Sequence, residues 1–267
     1  MTSGPDPGVS RTYADVDASA DPAEAAAWMD RVATYPAFEA SKARVATVLA
    51  PAVEGGGAVL DVGCGLGEDV RALGSMAVGL DPSWTMLTGA HPRGGRFVRG
   101  DGAALPFATA ALAGVRADRV LQHVADPEAV AAEMARVVAP GGVVAVIDPD
   151  QATLQVLGPD PRLAADVVRF RATVGIRHGF LAARMHEVLD GVGVATDGIE
   201  RFTVDLTDPD EAFGIPTWGR VLVEAGWWDG RDAARFDATL ADAAMAGHFR
   251  YVVDLVLTWG RRRGEGA

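Results

Sequence analysis

Three observations predict an α/β fold, a doubly wound and mostly parallel sheet. Short apolar runs alternate with helical patterns across residues 58–147, a tight glycine turn follows the first run, and an acid closes each of the first runs. Apolar runs at 58–62, 76–80, 96–98, 113–117 and 143–147 are spaced by helical segments at 68–73, 83–89 and 127–138. Strands spaced by helices are βαβ units, and uniformly apolar runs suit a parallel sheet covered on both faces.

The flanks follow in order. Residues 1–20 are rich in Gly, Pro, Asp and Ser and read as a flexible arm. Helical patterns at 22–34 and 36–50 each open on a proline, which the first helical turn tolerates because its N–H has no partner there. Gly55, Gly56 and Gly57 break the second helix, and Pro140, Gly141 and Gly142 end the one at 127–138. After residue 149 the pattern turns helical at 161–174 and 180–189. An extended run at 200–206, a helix at 232–246 and a long apolar strand at 250–259 complete the chain. Two late strands separated by a helix predict a sheet edge that ends antiparallel. The 267 residues suit one domain, with a cofactor-binding core at 58–148 and a helical lid or substrate region at 150–193.

Composition narrows the function classes. A net charge of −12 argues against a nucleic-acid partner, since phosphate binding relies on basic surface. No run approaches the ~18 apolar residues of a membrane span, and the N-terminus carries acids and prolines where a signal peptide needs a basic end. A cytoplasmic protein without membrane contact is expected, as a monomer or homodimer. Cys64 is the only cysteine, so neither an intrachain disulfide nor a structural metal cluster is expected. Lys42 is the sole lysine and is expected to lie nowhere near a glycine loop. The Arg261-Arg262-Arg263 run reads as a solvated tail.

The chemistry centres on Gly63, Cys64, Gly65 and Gly67, where a buried strand enters a turn and then a helix. Glycines there allow φ > 0 and a close approach of backbone to ligand. Asp61, Asp81 and Asp101 stand twenty residues apart, each at the end of a strand. They therefore share the carboxyl edge of the sheet, where open α/β folds bind ligands. Asp81 can accept from both hydroxyls of a ribose, Asp101 from an exocyclic amine such as that of adenine, and Asp61 from a cationic or amino group. Any one of them alone could be a helix cap; three at one spacing argue for a site. The sixth position from Gly63 is Glu68, where a dinucleotide fingerprint needs glycine, so NAD is disfavoured.

In five stretches the chain resembles the class I S-adenosylmethionine (SAM)-dependent methyltransferases, in particular the ubiquinone-biosynthesis-like branch acting on small molecules. They are LDVGCGLG at 60–67, GLDPSWTML at 79–87, GDGAALPF at 100–107, DRVLQHV at 118–124 and ARVVAPGG at 135–142. The resemblance implies seven strands in the order 3-2-1-4-5-7-6 with the last antiparallel, and SAM as cofactor with S-adenosylhomocysteine as product. It further implies that Gly63, Cys64 and Gly65 line the methionine portion through backbone atoms. Asp81 would hold the ribose, with Pro82, Ser83 and Met86 against the adenosine. Asp101 and Gly102 would read adenine, with Gly100 also in the cofactor-binding set, and the backbone at Arg119 would touch the cofactor. The short 91–95 region departs from the family's longer helix end on the adenine side.

His123 follows the fourth strand, where the methyl should point, and could serve as general base for an O, N or C acceptor on a small molecule. Its rate profile would then bend near pH ~6.5, or at a value shifted by burial. It could equally pack against the next helix. His178 is a weaker candidate, in the turn of the lid, and His186 falls on a helix surface. Asp148 and Asp150 could orient substrate or cap a helix; Trp218, Trp227 and Trp228 could wall a pocket or fill the core. Tyr13 could fold over the cofactor. Competing functions are a SAM-keeping enzyme that catalyses a cyclisation or rearrangement, a scaffold that has lost catalysis, and, more remotely, an NAD oxidoreductase.

Overall fold

A computed structural model describes residues 16–18 and 21–264. Tyr13 and most of the arm lie outside the described residues. One seven-stranded sheet runs through the molecule in the order β3-β2-β1-β4-β5-β7-β6. Its strands are β1 (Val59–Val62), β2 (Ala77–Asp81), β3 (Phe97–Arg99), β4 (Leu112–Asp118), β5 (Val138–Leu157), β6 (Val194–Leu206) and β7 (Arg250–Arg262). The first five pair in parallel, and β7 runs antiparallel to both β5 and β6. Strand order and the antiparallel last strand agree with the expectation.

The helices are α1 (Pro22–Ala33), α2 (Glu39–Glu54), α3 (Glu68–Leu73), α4 (Trp84–Ala90), α5 (Pro127–Val137), α6 (Pro161–Phe170), α7 (Met185–Gly191), α8 (Trp218–Glu224) and α9 (Gly230–Met245). An Asp-Pro pair starts three of them. Asp21, Asp126 and Asp160 each accept a backbone N–H of the first turn, and the following proline takes the position whose N–H would be unpaired. Both faces of the sheet are covered. Val59, Val143, Ala145 and Ile147 pack with residues of α2, α6, α8 and α9; Leu60, Val62, Val144 and Val146 pack with residues of α5 and α7.

Three expectations change. The fifth strand spans residues 138–157, not 143–147. It begins with Val138 opposite Leu112, bulges, resumes with Val143 opposite Gly114, and continues along β7 as far as Leu157 opposite Arg250. Pro149 is tolerated because β4 ends opposite Ile147, leaving β5 one neighbour there. The helical insertion therefore starts at Pro161, and residues 150–157 belong to the sheet. A second helical insertion, with α8 and α9, separates β6 from β7. The Arg261-Arg262-Arg263 run is anchored: β7 reaches Arg262, Arg261 Nε lies 3.3 Å from Asp197, Arg262 donates to the carbonyls of Arg136 and Val138, and Arg263 pairs with Asp190.

Candidate functional site

The site forms at the carboxyl edge of β1, β2 and β4, where the glycine turn leaves the sheet. Gly63, Gly65 and Gly67 all have positive φ (68°, 51° and 75°), which a side chain would strain. At Gly63 a Cβ would also meet Val120 Cγ2 at 2.5 Å, whereas at Gly65 it would meet nothing within 4 Å. The turn is therefore packed on one side and open on the other.

Its N–H groups point inward. Gly63 and Cys64 both donate to the Leu80 carbonyl (2.7 and 3.0 Å), Gly67 to the Cys64 carbonyl (2.9 Å) and Gly65 to Asp81 Oδ2 (2.8 Å). A phosphate-binding loop needs such groups aimed at the ligand; here they are engaged inside the protein. The arrangement suits a ligand portion without phosphate.

Asp81 ends β2 and is buried. Its Oδ1 accepts the Ser83 N–H (2.9 Å) and its Oδ2 the Gly65 N–H, which leaves each oxygen further acceptor capacity for a diol. Burial raises its carboxyl above the ordinary range, against those two bonds. Pro82 is exposed, and its carbonyl accepts from Arg99. Ser83 caps α4 through the Met86 N–H (3.1 Å), and Met86 is buried with Val16, Ala25 and Leu66. Asp17 closes this end: it accepts the Ser83 hydroxyl (2.7 Å) and the N–H groups of Trp84 (2.7 Å) and Thr85 (3.0 Å). The N-terminal segment thus reaches the expected adenosine end through Asp17, which sequence reasoning did not single out.

On the adenine side, Gly100 donates to the Asp81 carbonyl (3.2 Å) and a Cβ on Gly102 would lie 3.2 Å from Val62. Asp101 is exposed; its Oδ1 accepts the Ala103 N–H (2.9 Å). Arg119 has φ 56°, a costly backbone for an arginine. Its N–H donates to the Ile147 carbonyl (2.7 Å), and its guanidinium lies 4.4 Å from the Phe38 ring centre.

Asp61 departs from expectation, because its cationic partner belongs to the protein. Arg116, opposite it on β4, is buried, with its nitrogens 3.5 Å from Asp61, 3.0 Å from Asp69 and 2.7 Å from Asp118. Burial raises the Asp61 carboxyl despite Arg116, and Asp69 and Asp118 push in the same direction. Lys42 joins from α2, 3.6 Å from Asp69 and 3.9 Å from Glu68. Contrary to expectation, the sole lysine sits beside the residues that follow the glycine turn, because α2 packs there. Both of its acids tie it down, so it does not act as a phosphate-binding lysine. The signal for Arg116 was an arginine inside an otherwise apolar strand run.

His123 stands beyond β4 with its N–H donating to the Val120 carbonyl (2.9 Å). Burial pushes its imidazole down to about 3, and Arg171, Arg177 and His178 act in the same direction. His178 holds the neighbouring turn, its Nε2 3.0 Å from the Val124 carbonyl and its N–H donating to the Gln122 carbonyl. His186 is half-buried on α7. Asp148 and Asp150 lie within β5 and cap no helix; Asp150 pairs with Arg201 (3.1 Å). Trp218 and Trp228 are core residues, and Trp227 packs against them edge-on to Phe170.

The fold is matched by solved structures. Residues 60–146 fit the family model described as a methyltransferase domain. That stretch of the chain is similar to methyltransferase domains. The chain is similar to YcgJ protein from Bacillus subtilis with a TM-score of 0.56 at 18% identity, over 82% of this chain and 99% of that one, which speaks to the fold. It is 28% identical over 216 residues to an uncharacterized 37.1 kDa protein in transposon Tn4556 of Streptomyces fradiae, covering 75% of this chain and 61% of that protein. It is 42% identical over 94 residues to an uncharacterized methyltransferase of Mycobacterium sp. strain JLS, covering 33% of this chain and 37% of the relative. The matched part is thus less than two thirds of either relative's length. No helix among the described residues is long and apolar enough to cross a membrane.

Proposed function

We propose that the protein transfers a methyl group from SAM to an O, N or C atom of a small molecule, such as a secondary metabolite. The observation that carries this reading is the pairing of an inward-bonded glycine turn with the buried carboxylate of Asp81. Such a site excludes a pyrophosphate and accepts a ribose diol beside a cationic, phosphate-free portion. In the proposed assignment Gly63, Cys64 and Gly65 line the methionine part, Asp81 holds the ribose, Pro82, Ser83 and Met86 flank the adenosine, and Gly100, Asp101 and Gly102 meet the adenine. Asp101 keeps one carboxylate oxygen beyond its turn bond for the adenine amine.

SAM, when bound, supplies an electrophilic methyl on a sulfonium. The chain's own part is positioning. Orientation of two reactants can offset about 7–11 kcal/mol of a barrier. His123, neutral at physiological pH, is the candidate acceptor for a substrate proton.

Calorimetry with S-adenosylhomocysteine tests the site: Asp81→Ala should weaken binding by roughly 1.5–3 kcal/mol, the worth of hydrogen bonds to a charged acceptor. Unchanged affinity would remove the ribose role. A screen of small-molecule acceptors with methyl-labelled SAM tests the reaction, with labelled product and S-adenosylhomocysteine formed in equal amounts. Cofactor binding without any methylated product would favour the cyclase-type reading.

A further inference from the structure

Two arginines are buried among the described residues, Arg116 at 3% exposure and Arg171 at 8%, and they are treated in opposite ways. Arg116 sits among three carboxylates. Arg171 has no carboxylate within ion-pair distance among the described residues; its Nε donates to Gln151 Oε1 (3.2 Å). Three rings surround its guanidinium, with centres at 5.5 Å (Trp218), 5.6 Å (Phe213) and 5.8 Å (Tyr251). Cation–π contacts only partly offset the loss of water around a buried charge. In a chain with a net charge of −12, leaving a buried guanidinium without an acid points to a counter-ion that arrives from outside.

The surroundings add independent observations. The Gln151 Nε2 donor and the Gln122 Oε1 acceptor are both buried and have no partner. Both residues hold the same turn through their backbones: Gln151 donates to the Gly179 carbonyl (3.0 Å), and the Gln122 carbonyl accepts from His178 (3.1 Å). These groups lie beyond the carboxyl ends of β4 and along β5, next to His123, whose imidazole feels the Arg171 charge. Arg171 also opens a single π-helical turn, 171–175, a distortion found mostly at functional sites. An aromatic path, Phe38 to Phe213 at 6.2 Å, connects Arg119 at the cofactor edge with Arg171.

We infer that Arg171, held by Gln151, is the subsite for a carboxylate on an apolar methyl acceptor. With Nε tied to Gln151, the two terminal nitrogens form a fork that matches a planar carboxylate. The inference rests on the methyltransferase reading for what the ligand does there, but its binding half stands separately.

The test is calorimetry with two acid and amide pairs, benzoate with benzamide and hexanoate with hexanamide, each with and without S-adenosylhomocysteine. Wild-type protein should bind at least one acid on the order of tenfold to a hundredfold more tightly than its amide. Arg171→Met should erase that preference without changing S-adenosylhomocysteine affinity, and Arg171→Lys should keep part of it, retaining charge without the fork. Equal affinity for acid and amide, no binding of either acid to the wild type, or a preference surviving in Arg171→Met each overturns the subsite. Inorganic phosphate binding more tightly than both acids would overturn the carboxylate class. If Arg171→Met does not fold, the wild-type pairs and Arg171→Lys decide. Failure of S-adenosylhomocysteine to bind would sink the methyltransferase reading while an acid preference left the subsite standing.

Discussion

His123 shows how burial sets the behaviour of a single candidate group. Its imidazole is pushed down to about 3, against ~6.5 for an exposed histidine. Between those values the unfolded chain binds a proton that the folded chain excludes, so stability falls as pH falls from ~6.5 toward 3. The limiting slope is ~1.4 kcal/mol per pH unit. His123→Gln should flatten this part of the curve when urea unfolding is compared at pH 7 and pH 5. Parallel losses in both proteins would mean that the imidazole is hydrated. The same shift governs the rate: neutral imidazole is fully present from pH 6 to 8, so a base role gives a level profile there, the burial-shifted alternative to a bend near 6.5.

Among the elements, α4 depends on a residue that is distant in the chain. Its N-terminal N–H groups are bonded by Ser83 from within and by Asp17 from the arm. Burial opposes ionisation of Asp17, yet the Ser83, Thr85 and Trp84 bonds together hold its carboxyl well below the usual carboxylate range. A depressed carboxyl stabilises above its unfolded value of ~3.9, and that contribution is lost as pH falls below it. Asp17→Ala should cost about 0.5–2 kcal/mol, as lost helix caps do, and should speed amide exchange at Trp84 and Thr85. Unchanged exchange at both amides would show that the arm does not hold the helix. Since α4 follows Asp81, loosening it should also reach the ribose site.

Across the whole molecule, the Arg116 cluster joins four segments around the base of the glycine turn. Lys42 comes from α2, Asp61 from β1, Asp69 from α3, and Arg116 with Asp118 from β4. Removing the cation strands buried acids, so Arg116→Met should destabilise by about 3–5 kcal/mol in urea unfolding. Adding Asp61→Asn should return part of the loss by removing one stranded charge. A loss below ~1 kcal/mol would mean that water reaches the cluster and screens it.

The sequence by itself determined the alternation of strands and helices, the glycine turn and the acids on one sheet edge. Each is written in local periodicity: apolar runs of strand length, turn residues at their ends, and a spacing that repeats with the βαβ unit. The strand order came with the family resemblance carried by those motifs. Only the tertiary structure decided where charge is buried. Asp61 was legible as an acid at the site, but its partner Arg116 is known only once β1 and β4 pair. Lys42 meets Asp69 only when α2 packs beside the turn, and residues 150–157, expected in the helical lid region, become strand because β7 supplies a ladder. Arg171 did leave a trace, a charge on the apolar stripe of Leu163 and Val167. Its cage could not be read, because Phe213, Trp218 and Tyr251 come from segments more than forty residues away. Burial is a property of neighbours, and neighbours from distant segments are set by packing of the whole chain.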